Sequence, residues 1–296
     1  MILSNDQIEF YNNEGYVLVE DVISEDQLSA MIKIVDDFFE KSKAIKENNN
    51  IFDLEEGNSA NNPRLKRVKQ PHQHTPFFWD ILKESKIENI LIDLLGKDIS
   101  LKTSKLNTKA PGGGAAVEWH QDWAFYPHTN DNVLALGLMI NDVDFDNGPL
   151  MVIPKSHKGP VLSHNNNGVF CGAIDPNDKN FDISKAVTLT GKARSMTIHH
   201  ARTLHGSAPN NSNKDRLMLF YECNSADAWP LVGVGAYLNN TNPIDLCNQM
   251  ERQMLCGNVS YQPRMESVPV VLPLPPAPDY GSIFTTQKTG GAKSAF

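Results

Sequence analysis

Residues 195–221 contain Ser195-Met196-Thr197-Ile198, then Thr203-Leu204-His205-Gly206-Ser207, then Arg216-Leu217-Met218-Leu219-Phe220-Tyr221, with polar stretches between them. Short runs rich in apolar, β-branched and aromatic residues, separated by Gly, Asn and Asp, read as strands joined by turns. Toward the N-terminus the pattern repeats in Ser100 to Asn107, Ala115 to Trp119, Val133 to Ile140, Leu150 to Ile153 and Ala186 to Leu189. Such a series predicts a β sandwich or barrel over residues 98–225. Helical patterns precede these runs rather than alternating with them, which argues against a doubly wound α/β sheet.

Outward from this core, residues 1–97 read as mainly helical. Ser4 with Gln7, and Ser24 with Gln27, are S-x-x-Q capping boxes that open two helices. Tyr16 to Val19 is a short strand between them. The second helix carries Leu28, Met31, Ile32, Val35, Phe38 and Phe39 as one apolar stripe. Further helices are expected at Phe77 to Leu82 and at Ile87 to Leu95, the latter stopped by Gly96. Residues 43–75 between them are polar and read as a long loop of the kind that often forms a lid. The basic cluster Arg64, Lys66, Arg67 and Lys69 at its end is either a solvated face or a rim contact for an anionic substrate. His72 and His74 read as loop residues. From about residue 226 a helix is expected over Pro243 to Met254. A proline-rich tail follows (Pro263, Pro269, Pro273, Pro275, Pro276, Pro278), laid extended over the barrel and ending in a mobile stretch at Thr289 to Ala292. The whole chain, 1–296, is read as one domain.

The 296 residues carry a net charge of -8, which leaves no basic footprint for nucleic acid or for an anionic membrane surface. An anionic ligand must therefore be held by a few local cations. Cys171, Cys223, Cys247 and Cys256 form no C-x-x-C pair and read as free thiols of a reducing compartment. The N-terminal residues lack the basic-then-apolar order of a signal peptide, and no run of apolar residues is long enough to span a bilayer. A cytoplasmic protein is expected; oligomeric state is not legible.

His120-Gln121-Asp122 is an H-x-D on or beside a strand, where alternate side chains share a side. Alone it is a weak signal. His205 supplies the missing donor, and two imidazoles with one carboxylate on a β scaffold form the facial triad of non-haem Fe(II) oxygenases. Arg216 follows His205 by eleven positions and opens a strand. Buried there, a guanidinium needs an anion. Its fork suits the distal carboxylate of 2-oxoglutarate, with a surface ion pair to Asp215 or a glutamate as the alternative.

Taken together, these residues resemble the phytanoyl-CoA dioxygenase (PhyH) family of Fe(II)/2-oxoglutarate-dependent oxygenases. The resemblance runs through Gln7 to Val19 (QIEFYNNEGYVLV), His120-Gln121-Asp122, Asn147-Gly148-Pro149-Leu150, Pro154-Lys155-Ser156-His157-Lys158, and His205-Gly206-Ser207 with Arg216. It implies a mainly β fold with flanking helices, the double-stranded β-helix (jelly roll, cupin-like). It implies that His120, Asp122 and His205 bind Fe(II), and that Arg216 and Ser207 bind 2-oxoglutarate. Asn107 is a further candidate for the cosubstrate, with Thr103 and Lys105 as weaker ones. Trp123, Phe125 and Tyr126 are either walls of the substrate pocket or ordinary core. Lys155 departs from the more usual glycine of its turn, and His157 is read as structural. The implied reaction consumes O2 and 2-oxoglutarate, hydroxylates an aliphatic C–H bond of a small molecule, and releases succinate and CO2. Halogenation is disfavoured because Asp122 fills the position that iron halogenases keep open. The rival readings are a catalytically silent jelly-roll metal-binding protein and a zinc hydrolase using the same triad, in which Arg216 has no evident task.

Overall fold

The computed structural model describes residues 2–112, 116–231, 243–270 and 282–296. Ala115 of one expected strand, and Pro273, Pro275, Pro276 and Pro278 of the expected tail, lie outside the described residues. The strands in chain order are β1 (Tyr16–Val19), β2 (Phe52–Leu54), β3 (Leu65–Lys69), β4 (Ile99–Lys109), β5 (Val117–His120), β6 (Val133–Met139) and β7 (Leu150–Val152). They continue with β8 (Asn165–Asn166), β9 (Val169–Phe170), β10 (Val187–Leu189), β11 (Met196–His200), β12 (His205–Ser207), β13 (Arg216–Ser225) and β14 (Met254–Cys256). The helices are α1 (Asn5–Glu14), α2 (Glu25–Ser42), α3 (Pro71–His74), α4 (Phe77–Lys83), α5 (Ile87–Leu95), α6 (Pro243–Arg252) and α7 (Ile283–Thr289).

Two antiparallel sheets form the jelly roll. The larger runs β1-β11-β6-β13-β4-β3-β2, with β14 also on β4, and the smaller runs β10-β7-β12-β5. Period-2 alternation divides the larger sheet into two chemically distinct faces. Leu134, Leu136, Leu138, Ile198, Leu219 and Tyr221 join Met31, Val35, Phe38, Phe78, Ile81, Ile90 and Leu91 of α2, α4 and α5 in one buried cluster. Each such side chain contributes on the order of 1.5–3 kcal/mol through burial. The Tyr221 hydroxyl, dry at this depth, donates to the Phe78 carbonyl at 2.6 Å. The opposite face, through Ala135, Phe220, Glu222 and His199, lines a cavity. Helices thus bury one side of the sheet and leave the other for chemistry.

Both capping boxes form, Ser4 with Gln7 and Ser24 with Gln27. The stripe of α2 is narrower than expected. Ile32 is 39% exposed, because one residue beyond Met31 turns roughly 100° away from the core. The 43–75 loop is overturned in larger part. Its residues contribute β2, β3 and α3, and extend the larger sheet past β4. Leu65 and Val68 face the core, while ion pairs neutralise the charges around them: Lys69 to Asp53 at 2.8 Å and Arg64 to Glu55 at 2.8 Å. A strand as charged as Leu65-Lys66-Arg67-Val68-Lys69 hides its alternation.

The C-terminal stretch is also corrected. Residues 283–289 are helical, with the Ser282 side chain accepting from Thr285 N–H as the cap. Beyond them Gly291 O accepts from Asn166 Nδ2, and Phe296 stacks on Trp119 with centroids 6.1 Å apart. The end of the chain packs on the smaller sheet instead of trailing from it. No helix among the described residues is long and apolar enough to cross a membrane.

Gly137 of β6 sits where a Cβ would lie 2.7 Å from Phe220 Cε1 and 2.9 Å from both Met218 Cε and Thr197 Oγ1. Gly137→Val should therefore overpack the cavity face and destabilise by about 1–3 kcal/mol. Thermal melting checks this; a midpoint within a degree of wild type would contradict the packing described.

Candidate active site

His120 ends β5 and His205 opens β12, and the two are direct cross-strand partners. Asp122 begins the short 3-10 turn after β5. All three are buried, and one ligand atom from each lies within 4.8 Å of the others. The ring orientations are fixed from behind. His120 Nδ1 meets the Glu118 carbonyl at 2.8 Å, and His205 Nδ1 meets the Thr203 carbonyl at 2.9 Å. A carbonyl only accepts, so both Nδ1 atoms carry the proton and both Nε2 lone pairs are free. These lone pairs point toward Asp122 Oδ1, at 3.6 Å and 3.8 Å. The distances are too long for good hydrogen bonds and suit three donors arranged around one ion. Burial, with His120 and His199 beside it, pushes His205 well below the usual imidazole range. For Asp122 burial acts to raise the pKa, but His205, His120, His199 and Lys105 outweigh it and hold the carboxylate well below its usual range. The donor set is therefore two imidazole Nε2 atoms and an anionic oxygen, which fits a divalent metal.

A cavity of about 470 Å³ opens in front of these ligands. Arg216, on β13, lines it and is 3% exposed. Burial pulls its guanidinium down to about 10, so it stays charged at neutral pH. Its Nε has no hydrogen-bond partner among the described residues. The structure thus replaces the surface ion pair expected as the alternative for Arg216 with a buried guanidinium facing the cavity. Directly across the β13–β4 ladder stands Lys109, 1% exposed. Its ammonium donates to Ser207 Oγ at 2.8 Å, to Ser207 O at 3.1 Å and to Ala208 O. Burial, then the adjacent Arg216, pushes Lys109 well below its usual range. Two buried cations and a hydroxyl thus converge with no carboxylate hydrogen-bonded to Lys109 among the described residues. An anion such as a ligand carboxylate would fit this end of the cavity. Gly148 makes room for Lys109: its φ is +79°, and a Cβ there would lie 2.9 Å from Lys109 Cδ and 2.6 Å from Ala208 O.

A family model described as phytanoyl-CoA dioxygenase (PhyH) matches residues 11–218. The chain belongs to the phytanoyl-CoA dioxygenase family. A curated relative from Stutzerimonas stutzeri, named a probable alpha-ketoglutarate-dependent hypophosphite dioxygenase, is 36% identical over 94% of this chain and 95% of its own length. An ectoine dioxygenase of Bordetella bronchiseptica is 24% identical over 76% of each chain. The solved structure of EctD from S. alaskensis with bound Fe superposes with a TM-score of 0.65 at 21% identity, over 76% of this chain and 77% of that one. This phytanoyl-CoA dioxygenase family member is an iron(II)- and 2-oxoglutarate-dependent dioxygenase acting on a small molecule.

Other expected site residues divide. Thr103, Lys105, Asn107, Ser207, Phe125 and Tyr126 all line the cavity. Within it, Asn107 Oδ1 accepts from Arg67 Nε at 3.0 Å, and the Lys105 ammonium meets Glu222 at 2.5 Å. Trp123 takes the core alternative of its two expected roles: it is 1% exposed, packs with Val133, Ala201 and Ala228, and donates to the Pro269 carbonyl at 2.9 Å. The turn after Asp122 rotates it away from the cavity. Lys155 takes φ 65°, the left-handed conformation for which glycine is the usual choice. His157 Nε2 meets Asn12 O at 3.2 Å, a structural contact to the end of α1.

Gln121 and His164 had no signal of their own in the sequence. Gln121, between the two ligands, is fully buried. Its side chain donates to Pro160 O and Arg202 O and accepts from Leu162 N–H. His164 Nδ1 is held by the Leu162 carbonyl at 2.8 Å, and its Nε2 accepts from Gln121 N–H at 2.8 Å. Burial pushes His164 down to about 4, so it stays neutral and keeps that acceptor. His199 faces inward, with Nε2 3.5 Å from Asp122 Oδ2. H-x-D spacing marks His120 and Asp122 as candidate ligands, whereas His164 arrives from a loop and His199 from β11, both distant in sequence.

His164→Leu removes the acceptor for the buried Gln121 N–H at a cost of about 1–3 kcal/mol. It should also weaken Mn(II) binding by about 10- to 100-fold, as loss of an outer support does elsewhere. Metal titration followed by thermal shift reads both effects; unchanged Mn(II) affinity would show that His164 does not position the ligand strand.

Proposed function

We propose that His120, Asp122 and His205 hold the Fe(II), and that Arg216, Ser207 and Lys109 receive the distal carboxylate of 2-oxoglutarate. The observation that carries this reading is the buried, unpartnered Arg216 Nε across the cavity from two imidazoles whose lone pairs are free. Asn107, Thr103 and Lys105 border the same space and complete the cosubstrate wall or face the substrate. The bound iron and 2-oxoglutarate supply an oxidant from O2, with release of succinate and CO2. Around it the protein's own groups orient and exclude. The Glu118 and Thr203 carbonyls hold the two rings. Ser207 Oγ, already accepting from Lys109, can give its own hydrogen to a carboxylate. Phe125 and Tyr126, with Ile283 and Thr286 of α7, wall the cavity from water.

The outcome proposed is hydroxylation of a substrate C–H bond. A second reading follows from the 36% identical relative, named for hypophosphite: the same oxidant acting on a P–H bond of a small phosphorus oxyanion. The chain is proposed to work as one domain in the cytoplasm. The four cysteines, free among the described residues, accord with that location.

Under anaerobic Mn(II), 2-oxoglutarate at about 100 times its Kd should stabilise the protein by about 2.7 kcal/mol. Arg216→Ala should lose that shift and keep the one caused by Mn(II) alone, whereas His205→Ala should lose both. A zinc hydrolase or a silent metal-binding protein would show no 2-oxoglutarate shift in the wild type, and neither would release succinate with Fe(II) and O2.

A further inference from the structure

We propose that Arg67 is the anchor for the primary substrate, and that this substrate is a small molecule with a net negative charge carried on an oxyacid group. The inference rests on the assignment of Arg216 to 2-oxoglutarate. Arg67 comes from β3, the strand built from residues that read as loop, and it is 7% exposed on the cavity wall. Two of its sides are already occupied. Its Nε donates to Asn107 Oδ1 at 3.0 Å, and its guanidinium carbon lies 5.1 Å from the Phe284 ring centroid of α7. The fork is therefore held in a fixed orientation by a strand and a helix, as recognition of a planar anionic group requires.

The charges in this half of the cavity do not balance. Lys69 and Lys105 have carboxylate partners, Asp53 at 2.8 Å and Glu222 at 2.5 Å. Asp53 is also the cross-strand neighbour of Arg67, so these two carboxylates face three cations. Lys66, which shares the Phe284 ring, and Lys102, over the Tyr126 ring, add further positive charge. Burial lowers the Arg67 pKa despite the opposing influence of Asp53 and Glu222. Positive charge is in excess on the substrate side, and an anionic oxyacid group offsets it. A net-neutral zwitterion does not.

The test uses the full chain with Mn(II) and saturating 2-oxoglutarate, without O2. The probes are hypophosphite, propionate and methanesulfonate as monoanions, and ectoine as a net-neutral control. At least one monoanion should raise the melting midpoint of wild type, and ectoine should not. Arg67→Ala should weaken that monoanion by about 10- to 100-fold and leave the Kd of 2-oxoglutarate within about threefold, with Arg67→Lys recovering part of the loss. If wild type binds 2-oxoglutarate but none of the monoanions, or prefers ectoine, the substrate assignment is wrong while the cosubstrate reading stands. The substrate assignment is equally overturned if Arg67→Ala leaves the monoanion Kd unchanged, or weakens 2-oxoglutarate instead. If wild type does not bind 2-oxoglutarate, both fall. Should Arg67→Ala fail to fold, the wild-type preference between monoanion and zwitterion, with Arg67→Lys, still decides.

Discussion

His205 and His120 stand opposite each other across the β12–β5 ladder, with ring centroids 4.1 Å apart and the Asp122 carboxylate beside them. Burial beside His120 and His199 holds His205 well below the usual imidazole range, since protonating it would bury a cation against its neighbours. His120 and His205 are each kept in one tautomer by a carbonyl two residues earlier in the same chain segment. That local geometry needs extended backbone on both strands, and adjacent antiparallel strands to bring them together. The ladder then shifts register between His205 and Ser207, so Ser207 lies opposite Val117. The jelly roll is thus the frame that lets two short strands meet at one point, and the sheet opposite completes the enclosure.

Charge placement on that opposite sheet follows from the alternation of its strands. Its helix-facing side is apolar, and its inner side carries Arg67, Lys105, Lys109, Arg216 and Glu222. In a chain of net charge -8 this concentration of cations is local and buried. It is costly unless anions meet it, because desolvation of an unpaired guanidinium is not recovered by packing. Paired lysines offset part of that cost. Among the described residues Arg216 has no such pairing, and Arg67 has none beyond the Asp53 that Lys69 also engages. They sit on different strands, β13 and β3, separated by β4. Two anionic groups at two places explain the arrangement better than one.

Much of this is legible in the sequence. Capping boxes, the strand series and the H-x-D of His120 and Asp122 are local patterns, and the helices at 77–83 and 87–95 carry ordinary apolar periodicity. What escapes a reading of the sequence has a common cause. β3 presents Lys66, Arg67 and Lys69 among two apolar residues, and its burial depends on Asp53 and Glu55 arriving from elsewhere. Lys109 carries no signal in the sequence, and its place at the site follows only from β12 setting Ser207 against it. His164 and Gln121 meet across forty-three positions. Trp123, Phe125 and Tyr126 read alike as pocket wall or core because they follow Asp122, but the 3-10 turn sends consecutive side chains in different directions. Periodicity reports which side of an element is buried, and says nothing of what it is buried against.

The C-terminal helix depends in the same way on distant partners, with a mechanical consequence. Gln287 of α7 accepts from Glu118 N–H at 3.1 Å and donates to the carbonyls of Glu118 at 3.3 Å and Gly172 at 3.0 Å. The Glu118 carbonyl is also the group that fixes His120 Nδ1. One peptide oxygen therefore serves the ligand ring and the helix together. Four positions earlier in the same helix Ile283 lines the cavity, and Phe284 covers Arg67. A single short element, tied down by one amide side chain, contacts both the backbone that orients a metal ligand and the residue assigned to the substrate. Seating of α7 and orientation of His120 are coupled through that shared acceptor, so a change in either is felt by the other without any movement of the sheets.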